Sequence, residues 1–155
     1  MIRREKVHVE VDDSTIAGGD PRAIIQPVWW LSTIYDGPGM YEHSLRQFSQ
    51  SQRIVRAILL YVSEVCNGGH SQFYSNSSGI VWRDAMAGFE AISVPKGAAI
   101  LAISAERLGG SPSLDRDERN EQLDAMHPDF GDVDEALYEL KQRVNLDEKI
   151  MAFIQ

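Results

Sequence analysis

The longest helical periodicity in the chain lies between Tyr41 and Cys66. Leu45, Phe48, Ile54, Ile58, Tyr61, Val62 and Val65 recur mostly three and four residues apart. That spacing gathers them on one face of a 3.6-residue helix. So long an apolar stripe must be covered by the rest of the chain, which favours a helical assembly built around it. Asn67-Gly68-Gly69 follows and predicts the end of the helix, with a glycine ready for the left-handed cap position.

The flanking segments read as helices too. Asp20-Pro21 looks like an N-cap and first helical residue. The helix it opens should reach about Ile34, kink or split at Pro27, and send one of Trp29 and Trp30 into the core. Asp36-Gly37-Pro38-Gly39 reads as a break. His70 to Tyr74 reads as a short helical turn, and Ser77 or Ser78 as the cap of a helix from about Gly79 to Ile92. Pro95 opens an alanine-rich helix, Lys96 to Leu108, closed by Gly109-Gly110; its apolar residues lie all around it, which predicts a central position. Asp115–Met126, Asp132–Arg143 and Leu146–Phe153 read as three charged helices. Val7-His8-Val9-Glu10-Val11 alternates at period two, as a short strand does. The expected fold is mainly α: a single-domain helical assembly over residues 1–155, with at most one short N-terminal β element.

Charge removes several functions. The 155 residues include 23 acids and 15 Lys or Arg, for a formal net charge of −8. A nucleic-acid binder must neutralise phosphates with cations, so this balance argues against DNA, RNA or an anionic membrane as direct partner. The apolar stretches Ile54–Val65 and Ala98–Ala105 are too short and interrupted to span a bilayer, and no signal peptide is expected. Cys66 stands alone, which excludes an internal disulfide and suggests a reduced, cytoplasmic setting. His8, His43, His70 and His127 are scattered, and no zinc, calcium-loop or phosphate-loop spacing occurs. No metal and no cofactor are expected.

The charge is also uneven. Residues 1–105 carry a net −1, and residues 106–155 carry 13 acids and 6 bases, a net −7. Asp117, Glu121 and Asp124 fall at i, i+4, i+7, and Asp132, Glu135 and Glu139 at i, i+3, i+7. Each trio lies along one helical face, opposite an apolar row of Val133, Ala136, Leu137 and Leu140 in the second case. One reading is a solvated face steadied by Asp115–Arg119 and Glu139–Arg143 pairs. The other is a row of carboxylates that imitates phosphates and awaits a basic partner.

The segment Asn67 to Gly79 concentrates polar side chains, aromatics and glycines between two helices. A catalytic reading takes Cys66 or a serine as nucleophile and His70 as base, facing Glu64 or Asp84 across a pocket. The plainer reading is a tight inter-helix corner, with Asn67 and Asn76 bonding backbone groups and Phe73 and Tyr74 filling the core.

Asn67-Gly68-Gly69, then Gln72-Phe73-Tyr74, then Asn76-Ser77-Ser78-Gly79 resembles the signature of the DMP19-like proteins. The alanine-rich helix, the Gly-Gly-x-Pro turn and the run Asp115-Arg116-Asp117-Glu118-Arg119 follow in the same order, so the likeness covers about Ile24 to Tyr138. The resemblance implies a mostly helical, dimeric, non-enzymatic protein. The family's named member is a bacterial DNA mimic whose acidic surface occupies the DNA-binding face of a transcription factor; many other members have no assigned activity. Mimicry maps here onto Asp117, Glu121, Asp124, Asp132, Glu135 and Glu139, while the Asn67–Gly79 corner marks the fold. Arg46, Arg53 and Arg56 make the long helix basic, so the negative field is regional. The expected partner is a basic, DNA-binding protein. The alternatives are an immunity or antitoxin-like inhibitor of a basic toxin, and an enzyme built around the corner.

Overall fold

The computed structural model describes residues 16–155, so the expected strand at Val7–Val11 lies outside the described residues. Among the described residues every regular element is helical. α1 spans Pro21–Leu31, α2 Gly37–Leu45 and α3 Gln50–Ser75. A 3₁₀ turn, Ser77–Val81, leads into α4 (Trp82–Ala91), followed by α5 (Pro95–Glu106), α6 (Arg116–Met126), α7 (Gly131–Arg143) and α8 (Leu146–Ile154).

The stretch expected to form one helix from Tyr41 is two helices. Ser49 starts the second: its hydroxyl accepts from the Gln52 amide at 3.1 Å, and the Gln52 side chain accepts from the Ser49 amide at 3.1 Å. This reciprocal cap satisfies two of the amides that a helix start leaves unpaired. Asp36–Gly39 is not simply a break, because Gly37 (φ 87°) and Pro38 open α2. We expect Ser49→Ala to lower stability by about 1 kcal/mol, read as a lower urea midpoint with an unchanged slope.

α1 runs through Pro27 unbroken; the ring is buried and removes a single helical hydrogen bond. Ile24, Ile25 and Val28 form its inward stripe, so neither Trp29 nor Trp30 enters the core, and both rings are about half exposed. Ser77 and Ser78 cap nothing: the Ser78 hydroxyl donates to the Phe73 carbonyl at 3.0 Å. The alanine-rich α5 is not buried on all sides, since Ile103 is exposed while Ala98, Ile100, Leu101 and Ala105 face inward. At its end Gly109 and Gly110 both take positive φ, and the Gly110 amide donates to the Ala105 carbonyl.

α3 is the central element. It packs against α1, α4, α6 and α7, while α5 joins α4 to α7. Val55, Ile58, Tyr61, Val65, Phe73 and Tyr74 of α3 are sealed from solvent and meet Phe89, Leu101, Leu137 and Ile150 in one core. Among the described residues no helix is long and apolar enough to cross a membrane.

Candidate functional site

Two features survive as candidates, the Asn67–Gly79 corner and the acidic rows. The corner begins with a kink rather than an end. Gly68 (φ −151°, ψ 18°) and Gly69 (φ 76°, ψ 179°) leave helical geometry, and the helix then resumes to Ser75. Positive φ at Gly69 is one reason for glycine there. The second is space: a Cβ at Gly69 would stand 2.5 Å from Asp134 Oδ2 of α7.

That close approach lets Asp134 serve the residue next to the kink. Its Oδ1 accepts from the His70 amide at 2.8 Å and from His70 Nδ1–H at 2.5 Å. On the other side of the ring, Tyr61 donates its hydroxyl proton to His70 Nε2 at 2.6 Å. The imidazole has no exposed surface. Burial pushes its pKa below the ordinary histidine value, against the upward pull of the bond from Asp134. The ring is therefore neutral at pH 7, and Tyr61, raised well above a normal phenol by burial, stays protonated.

The far end of the corner closes on Arg119 of α6, which is also fully buried. Its guanidinium donates to the carbonyls of Tyr74 (2.6 Å), Asn76 (2.7 Å) and Ser113 (2.8 Å). Two of these belong to the end of α3, where carbonyls lack helical partners and a cation suits the dipole. Burial lowers the Arg119 pKa to about 10, which still leaves it charged near neutrality. A Cβ at Gly79 would run into this guanidinium, which accounts for glycine there.

The remaining signature residues tie the corner to itself. Asn67 donates to Gln72 at 3.3 Å, and Gln72 and Asn76 donate to Glu64 at 2.8 and 3.3 Å. Phe73 is sealed in the core, Tyr74 donates to Ser104, and Ser77 begins the 3₁₀ turn. Catalytic geometry is absent from this arrangement. His70 faces neither Glu64 nor Asp84, both of its ring nitrogens are engaged, and Cys66 lies exposed with Lys141 Nζ 3.9 Å from its sulfur. Asp84 instead accepts from Arg53 at 2.9 Å and from Tyr41. Among the described residues no group of three or more His, Cys, Asp or Glu could hold a metal ion.

The acid rows sit elsewhere. Asp117, Glu121 and Asp124 on α6 and Asp132, Glu135 and Glu139 on α7 are all exposed. Val133, Leu137 and Leu140 are buried as expected, with Ala136 half-buried. The two helices dock on α3 rather than along one another, so the trios form two short rows. Asp132 differs from the other five: Arg107 grips it with both terminal nitrogens and holds its carboxyl down to about 2. Neither steadying pair forms, because Asp115 caps α6 by accepting from the Glu118 amide and Arg119 turns inward, and Glu139 and Arg143 stay beyond salt-bridge distance. The basic character expected of α3 is muted as well. Arg53 is paired with Glu42 and Asp84, Arg56 is buried, and the exposed Arg46 lies at the end of α2 rather than on α3.

Asp134 and Arg119 escaped sequence reasoning as individuals, although the signal existed. Asp134 stands at i+4 from Phe130 and i−3 from Leu137, inside the buried stripe of α7. An acid at such a position demands a buried donor.

Among the described residues this is an all-α bundle whose signature residues build a sealed inter-helix joint and whose carboxylates are displayed on separate outer helices. The chain belongs to the DMP19-like protein family, whose family model matches residues 46–155. The match begins after the expected Ile24 and runs past Tyr138 to the last residue. No curated protein and no solved structure matches the chain.

Proposed function

We propose that this protein is a non-enzymatic acidic binding module that engages the basic face of a DNA-binding protein and so blocks its access to DNA. One observation carries the reading: Asp117, Glu121, Asp124, Glu135 and Glu139 are exposed at helical spacing with no cation within salt-bridge distance among the described residues. Like charges one helical turn apart repel, and a basic partner relieves that repulsion. Complementary fields would also speed encounter and make it salt-sensitive. Because α6 and α7 carry separate rows, the partner must span both or use one.

The test is capture from host lysate at low and high salt, with wild type beside the variant Glu121→Lys, Glu135→Lys, Glu139→Lys. These side chains make no ion pair among the described residues, so the variant should melt within a few degrees of wild type. A DNA-binding protein held by wild type, released by salt and lost in the variant supports mimicry. A captured toxin would replace that reading with an inhibitor. Equal capture by both proteins would remove the acid rows from the account.

A further inference from the structure

We propose that the cleft bounded by α3, the end of α7 and the start of α8 binds a small zwitterion, a free amino acid with an apolar side chain, through Glu64 and Lys141. The cleft has a volume of about 850 Å³. That size falls in the usual range for small-molecule sites, roughly 300–1,000 Å³. Its apolar lining includes Ile58, Val62 and Leu146, all three buried.

Four charged side chains line the cleft, and their pairing is uneven. Arg22 and Asp147 meet each other at 3.2 Å. Glu64 and Lys141 do not meet, and among the described residues neither has an opposite charge within salt-bridge distance. Lys141 Nζ reaches the Cys66 sulfur at 3.9 Å, a weak acceptor for one of its three protons. Glu64 is half-buried and held in place. Gln72 and Asn76 both donate to the same oxygen, Oε2, at 2.8 and 3.3 Å, and Asn67 donates in turn to Gln72. Gly68 makes room for this arrangement, because a Cβ there would run into the Gln72 side-chain amide. Glu64 Oε1 accepts no bond among the described residues. The cleft therefore presents an oriented carboxylate with an open oxygen and, apart from it, an ammonium with protons to donate. A ligand ammonium complements the first and a ligand carboxylate the second, each through a charge-assisted bond. An apolar side chain would leave water against the apolar lining. Asn67, Gly68 and Gln72 thereby act as positioning residues for Glu64.

Leucine, leucinamide, 4-methylpentanoate and glycine would be titrated into the full chain by calorimetry near neutral pH, and the titrations repeated in Lys141→Gln and Glu64→Gln. Leucinamide lacks the carboxylate, 4-methylpentanoate the ammonium and glycine the side chain. The expected result is saturable leucine binding at least ten-fold tighter than that of the other three. Lys141→Gln should reduce the preference for leucine over leucinamide to less than two-fold while keeping the preference over 4-methylpentanoate. Glu64→Gln should do the reverse. If Glu64→Gln fails to fold, Lys141→Gln supplies the comparison, since Lys141 is exposed and makes no ion pair among the described residues. Absence of saturable leucine binding, equal binding of leucine and any of the other three, or a preference over leucinamide retained in Lys141→Gln would overturn the proposal.

Discussion

Arg119→Met is expected to cost roughly 3–5 kcal/mol, a large share of the total stability of a domain this size. The reasoning begins with acceptors rather than with charge. The carbonyls of Tyr74, Asn76 and Ser113 each receive a short bond from one guanidinium that solvent does not reach. Methionine has similar reach and no donor, so it leaves the Tyr74 and Ser113 carbonyls without this partner, at about 1–3 kcal/mol apiece where water cannot replace it, and the Asn76 carbonyl with the Gly79 amide alone. Arg119→Lys separates donor geometry from charge. An ammonium is a compact point donor and cannot serve three carbonyls spread around a planar fork, so about half the loss should remain. Urea unfolding of the three proteins decides the matter. A loss below about 1 kcal/mol in Arg119→Met would mean that the end of α3 is held by packing alone.

The same bonds explain why an acid-rich helix is attached where it is. α6 offers few apolar contacts to the core; among its residues Arg119 is buried and Leu123 partly so. The helix is therefore anchored by a polar side chain reaching inward, which leaves Asp117, Glu121 and Asp124 free on the outer face. On α7, Asp134 reaches inward to His70 between the buried Val133 and Leu137. Each acidic row is thus carried by a helix that sends one charged residue into the corner. A partner that pulls on either row would load this joint, and loss of binding in Arg119 or Asp134 variants should accompany loss of fold.

Helix existence was legible in the sequence because apolar spacing reports a buried stripe directly. α7 was expected from Asp132 and begins at Gly131; α8 was expected from Leu146 and begins there. Boundaries went wrong where a local cap outweighed periodicity. The stripe runs through Leu45 and Phe48 and resumes only at Ile54, and Ser49 and Gln52 start a new helix in that interval. The glycine pair was read for its conformational freedom, whereas half of its meaning is the room it leaves for Asp134. Contacts across 64 or 45 positions of sequence, such as His70–Asp134 and Tyr74–Arg119, carry no local periodicity. The misplaced polarity of Asp134 hinted that such a contact exists without saying with whom. The acid rows were read correctly as exposed faces, yet Arg107 neutralises Asp132 from α5's C-terminal end, a neighbour that spacing on α7 alone does not reveal.

Asp134→Ala should destabilise the protein by about 3 kcal/mol, and His70 should make that stability depend on pH. Removing the carboxylate strands two donors, the His70 amide and its Nδ1–H, and leaves a small void beside Gly69. The pH effect follows from a folded-state pKa for His70 that burial holds below its unfolded value near 6.5. As pH falls through about 6.5, the unfolded chain takes up a proton that the folded chain refuses. Stability is therefore full above that pH and declines below it, by up to about 1.4 kcal/mol per pH unit, until the folded imidazole also protonates. His70→Gln removes that titration, so the wild-type curve should fall more steeply than the variant's between about pH 6.5 and 5. Two outcomes discriminate. A steeper wild-type curve means that the Tyr61–His70–Asp134 chain holds a neutral ring and works as a structural joint. A wild-type curve that instead gains on the variant as pH falls toward about 6.5 would mean that His70 is charged in the folded protein and paired with Asp134 as an ion pair. A charged ring would have to donate at both nitrogens, forcing Tyr61 to accept the bond it now donates. Burial without exposed surface opposes that state more strongly than one carboxylate favours it, which is why the neutral joint is the expected result.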